Sequence, residues 1–160
     1  SVAMLAHALV TIHNEVFDGN ADVLTTVLYA MYHETSEVMT GDLPTPVKYY
    51  DESIRGAYKE LEKVASRKIA SMLPKEMEIH IAPYVLADED SQEYRLVKAA
   101  DRLSAYIKCL EEFRSGNTEF TKAKKSIEKD LHNLKMPEVE YFFEHFIRSF
   151  ELTLDDLEGF

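Results

Sequence analysis

The sequence predicts an all-α fold, on three observations. Five Gly and five Pro in 160 residues leave room for few turns. Met, Leu, Ala, Glu and Lys, all good helix formers, recur along the whole chain. Apolar residues also return at three- and four-residue spacing in segment after segment, and no alternating run reads as a strand. The length suits one domain, residues 1–160, able to bury a core without disulfides or a structural metal. The one cysteine, Cys109, has no intramolecular partner, which suits a reducing cytoplasm.

Taken in order, Val2, Leu5, Leu9 and Ile12 predict a first helix from residue 2 to about residue 17. Asp18 to Asn20 reads as a turn, with Asn20 as the N-cap of a second helix. That helix is expected from Ala21 to about Met39, burying a face of Leu24, Val27, Leu28, Met31 and Val38. Gly41 stops it, and Pro44 and Pro46 hold an extended loop. A long charged helix follows, from about Asp51 to Met72, until Pro74 breaks it. Residues 74–85, with Pro83 among them, read as short and mixed. A strong helix spans about Asp88 to Arg114 and ends at Ser115-Gly116. Two more, near Glu119 to Leu134 and Pro137 to Phe150, complete the domain.

A net charge of -11 argues against general nucleic-acid binding, because such a surface repels a polyphosphate. It leaves room for a small phosphorylated ligand if a cation or local basic group offsets the phosphate. No apolar run is long enough to span a bilayer. The opening "SVAMLAHALV" also lacks the basic flank and cleavage site of a signal peptide. A helix that begins in mid-pattern at Ser1, without a cap, reads as a chain whose natural start lies further upstream.

The chemistry concentrates in "MYHETSEVMTGDLPTPVKYY", residues 31–50. On a helix, His33 and Glu37 are four residues apart and Glu34 and Glu37 three, so their side chains converge. Glu34 sits at the edge of the expected buried stripe, where a carboxylate needs a partner. A divalent cation satisfies all three groups; an ordinary solvated helix face is the competing reading. Asp101 shares a face with Val97, Ala100, Ser104 and Ile107 in "LVKAADRLSAYI". It reads either as a metal ligand or as the partner of Lys98 or Arg102. "HETSE" begins like the zinc-peptidase motif, but Glu37 stands where the second histidine is required. His7 and His13 read as core or rim residues, and His80, His132 and His145 fall on polar segments. No Gly-rich phosphate loop is present, Ser36 has no arranged base and acid, and Cys109 reads as packing.

"AMYHETSEVMTGDLPTPVKYY" together with "LVKAADRLSAYIKCLEE" resembles the bacterial HD-domain phosphohydrolases, and closely their 5'-deoxynucleotidase branch. The resemblance implies a helical HD domain holding one divalent cation, with manganese and cobalt among the candidates. It implies removal of the 5'-phosphate from deoxyribonucleoside monophosphates by a cytoplasmic homodimer. By the same resemblance the metal ligands are His33, Glu34 and Asp101, and Glu37 activates the attacking water. Asp42, Leu43, Pro44 and Thr45 match the nucleotide-holding loop, with Asp42 near the sugar. Two departures stand out. The family's His-Asp doublet reads His33-Glu34 here, and its first metal-binding histidine would precede Ser1. They open an alternative, a nucleotide-binding HD-domain relative with impaired catalysis.

Overall fold

A computed structural model describes residues 1–42 and 51–152. These form helices and turns, with no strand among the described residues, as the composition leads one to expect. The chain divides into two compact units: residues 1–30 with 90–160, and residues 31–89.

In the first unit, α1 (Val2–Val16) packs along α6 (Gln92–Arg114), its most extensive helix contact. Leu5, Ala6, Leu9, Val10 and Ile12 recur at helical spacing on α1 and are buried. Leu96, Val97, Ala100, Leu103 and Ile107 do the same on α6. Helices α7 (Thr121–Asn133) and α8 (Pro137–Phe142) close this core with Leu131, Val139 and Phe142. The turn between α1 and α2 is clasped by Asn14, whose amide exchanges two 2.9 Å hydrogen bonds with the Ala21 backbone. Gly19 lies so close against the His13 ring that a β-carbon there would collide with it.

Helix α2 (Val23–Tyr32) differs from the sequence expectation at both ends and in its buried face. Its cap is Asp22, not Asn20: the Asp22 carboxylate accepts the Thr25 N–H at 2.6 Å. Those hydrogen bonds to Thr25, side-chain and then backbone, hold the Asp22 carboxyl below its ordinary range. The Asn20 side chain instead accepts from the Gln92 amide. The buried residues of α2 are Thr26, Tyr29 and Ala30, whereas Leu24 is 63% exposed and Met31 62%. Thr26 is buried without penalty because its hydroxyl donates to the Asp22 carbonyl at 2.7 Å. Tyr29 meets Tyr94 edge-on.

The second unit holds α3 (Glu37–Thr40), α4 (Glu52–Ser71) and α5 (Lys75–Val85), with α4 in contact with both α3 and α5. Asp51 caps α4, accepting the Ile54 N–H at 2.8 Å. Residues 74–85, expected to be mixed, are helical. Pro74 separates α4 from α5, as expected, and is the N-cap of α5, while Pro83 falls within the last turn of α5, which runs through it to Val85.

The last helical stretch is also interrupted. A wide π turn, Phe143–Ile147, separates α8 from α9 (Arg148–Glu151) where one helix was expected. It places Phe143 5.3 Å from the Tyr106 ring and 4.7 Å from that of His132. Phe142 is buried and meets the Phe146 and Phe150 rings, so most of this aromatic run packs on itself. Cys109 is buried on α6, and burial pushes its thiol pKa up, as suits packing better than nucleophilic attack. No helix among the described residues is long and apolar enough to cross a membrane.

Candidate metal centre and nucleotide site

The expected helix 21–39 breaks at the site itself. After Tyr32 the chain makes tight turns: Thr35 N–H bonds the Tyr32 carbonyl, and Glu37 N–H the Glu34 carbonyl, each at 3.0 Å. The Thr35 hydroxyl donates to the same Tyr32 carbonyl at 2.7 Å, competing with the α-helical ladder. His33, Glu34 and Ser36 therefore lie in turns, and Glu37 opens the four-residue α3. The i, i+4 geometry assumed from the sequence does not hold between His33 and Glu37.

His33 and Glu34 are nonetheless brought together. His33 Nε2 and Glu34 Oε1 are 3.6 Å apart, with the imidazole nearly buried and the carboxylate largely open. Two ligands of one ion, each bonded at about 2.0–2.2 Å, stand at such a separation. The extra methylene of Glu34, relative to an aspartate, does not carry its carboxylate away from the imidazole. An imidazole nitrogen and carboxylate oxygens suit a divalent ion of intermediate hardness, so the donor set fits the cation that the resemblance implies.

Glu37 is half-buried at the start of α3, and its carbonyl accepts the Gly41 N–H at 2.9 Å. Gly41 has φ +71° and ψ 162°, a conformation that side chains other than hydrogen rarely adopt. Its carbonyl accepts the Tyr58 hydroxyl at 3.0 Å. Asp42, next in the chain, is exposed. Leu43, Pro44 and Thr45 lie outside the described residues, as does Lys48. Asp101 belongs to the first unit, where it is half-buried on α6. Lys98, one turn earlier, is exposed and stands over the Tyr94 ring at 5.3 Å.

Three of the other histidines are accounted for more simply. His13 Nδ1 lies 2.5 Å from the buried Glu138 carboxylate and links α1 to α8. His132 pairs with Glu140 at 2.7 Å. His7 is exposed, outside the core. Sequence reasoning passed over Tyr58; nothing in its helical spacing marks the hydroxyl as a link to Gly41.

A family model described as 5'-deoxynucleotidase YfbR-like matches residues 1–150. This chain belongs to the YfbR-like 5'-deoxynucleotidase family. A 5'-deoxynucleotidase of Photobacterium profundum is 49% identical over 159 residues, covering 98% of this chain and 81% of that protein. One from Vibrio parahaemolyticus is 49% identical over 160 residues, with the same coverage. The 5'-deoxynucleotidase YfbR of Escherichia coli O1:K1 is 48% identical over 159 residues, covering 98% and 79%. In structure, the chain is similar to an HD-domain phosphohydrolase from Listeria innocua, with TM-score 0.79 at 18% identity, covering 98% of this chain and 76% of that one. The family is one of hydrolases, and the all-α architecture is that of HD-domain proteins.

Proposed function

We propose that this chain is a metal-dependent phosphohydrolase that removes the 5'-phosphate from deoxyribonucleoside monophosphates. The observation that carries the proposal is the 48–49% identity, across 98% of the chain, to proteins named 5'-deoxynucleotidases. Residues 1–160 act in it as one HD-type domain, in keeping with the family match that runs through both compact units.

His33, Glu34 and Asp101 would hold one divalent cation, manganese or cobalt or a similar ion. The 3.6 Å approach of His33 to Glu34 supports this assignment. When bound, such an ion supplies Lewis acidity toward a phosphoryl oxygen and offsets the charge of the substrate against an acidic protein. Glu37 is the general base. It takes a proton from the attacking water as the water oxygen bonds phosphorus and the bond from phosphorus to O5' breaks. That proton then passes to O5', leaving a deoxyribonucleoside and inorganic phosphate. Asp42, Leu43, Pro44 and Thr45 hold the nucleotide, with Asp42 beside the sugar. There an added 2'-hydroxyl would be crowded or mismatched. The working form is a homodimer in the cytoplasm, and sedimentation at twice the chain mass tests its assembly.

The test of function is phosphate release from matched deoxy- and ribonucleoside monophosphates by the full-length protein with added manganese or cobalt. Release from the deoxy set, with little from the ribo set, is the expected result. Saturable nucleotide binding without turnover at any metal would replace this reading with that of a catalytically impaired relative.

A further inference from the structure

We infer that Tyr58 is a positioning residue for nucleotide recognition: through its hydrogen bond to the Gly41 carbonyl it fixes where Asp42 stands. The inference rests on the assignment of Asp42 to the sugar made above. Tyr58 is 5% exposed on α4, and its hydroxyl reaches the Gly41 carbonyl at 3.0 Å. The Gly41 N–H is held at 2.9 Å by the carbonyl of Glu37, the proposed base. Both faces of this one residue are therefore tied, one to the base and one to a long helix.

Gly41 is a joint that needs such a tie. At φ +71° and ψ 162° it occupies a region open to glycine alone, and a β-carbon there would meet nothing among the described residues within 4 Å. Glycine's freedom leaves the direction of the chain into Asp42 to hydrogen bonds. The Thr40 hydroxyl also reaches the Gly41 carbonyl, at 3.0 Å, but is shared with the Ser36 carbonyl at 3.3 Å. A hydroxyl has one proton to donate, so Thr40 divides between the two acceptors. Thr40 is also the joint's own neighbour, the last residue of α3. Of the two donors, only Tyr58 anchors it to a separate element.

The test compares wild type with Tyr58→Phe, which keeps the buried ring and removes the hydroxyl. Peptide-level hydrogen exchange reads the tether, and the ratio of kcat/KM for a deoxyribonucleoside monophosphate to that for its ribo counterpart reads its consequence. Faster exchange confined to the peptide containing Gly41 and Asp42 is expected, with the ratio reduced about fivefold, the size of one neutral hydrogen bond. A sugar-free phosphate monoester should be hydrolysed at the wild-type rate. A purely structural role would instead lower all three substrates alike. Unchanged exchange at Gly41–Asp42, or an unchanged ratio in an active enzyme, overturns the inference. If wild type hydrolyses no monophosphate, the proposed function fails separately, and the exchange result alone decides whether the tether stands. Should Tyr58→Phe loosen the whole chain, Gly41→Ala disturbs the joint from its other side and must lower the same ratio.

Discussion

Helices α6 and α4 are of similar length, 23 and 20 residues, yet they bury very different amounts of themselves. Nine side chains of α6 are buried, among them Leu96, Val97 and Leu103. On α4 only Tyr58, Ala65 and Ala70 are, and Leu61 and Val64 are at least half exposed. The first unit thus draws its stability from dense apolar packing. The second holds most of the proposed chemistry on tight turns, a four-residue helix and a few directed hydrogen bonds. Stability and chemistry should accordingly respond to different substitutions.

The largest effect belongs to Glu37→Gln, which removes the proposed base and leaves its shape. It should lower kcat by about 10²–10⁴-fold while the thermal midpoint hardly moves. An active Glu37→Gln enzyme would remove Glu37 from the mechanism. The opposite pattern is expected of Leu103→Ala, at a side chain with no exposure on α6. Its loss should cost about 2–5 kcal/mol of stability by denaturant titration, with the surviving folded enzyme keeping its KM. A shifted KM would show that the packed half also shapes the nucleotide site.

What could be read from the sequence follows the same division. The α1 and α6 faces were legible because Leu5, Leu9, Val97 and Ile107 repeat with the helical period and are in fact buried. The proposed ligands and loop stand out in the sequence only as a motif, "YHETSE" followed by "GDLPTP". Their local geometry does not, because periodicity cannot report that the Thr35 hydroxyl captures the Tyr32 carbonyl and breaks the helix. The α2 stripe was misassigned for a related reason. Thr26 is buried through a backbone hydrogen bond, whereas Leu24 and Met31 remain exposed, so polarity alone pointed to the wrong face. Pro83 suggested a broken segment, yet the helix runs through it to Val85. Tyr58 was not legible as a donor, since hydrogen-bond partners distant in sequence leave no spacing signal.

The smallest effect sharpens the contrast within the first unit. Asp22 is exposed and caps α2, and its carboxyl is held below the ordinary range by Thr25. A lowered folded-state pKa means its stabilisation is present above the unfolded carboxylate value and lost as pH falls through the folded one. Asp22→Ala should therefore lower the thermal midpoint slightly at neutral pH, and the two melting curves should converge in acid. A difference that persists in acid would mean the cap acts by something other than its charge.

Whether one cation is served by His33, Glu34 and Asp101, as proposed, is tested most directly by cobalt titration followed by its visible absorption. Wild type should bind one equivalent, and His33→Ala and Asp101→Asn should each weaken binding by at least tenfold while keeping the wild-type melting midpoint. Asp101→Asn binding cobalt as wild type does, with an unchanged spectrum, would contradict the shared site.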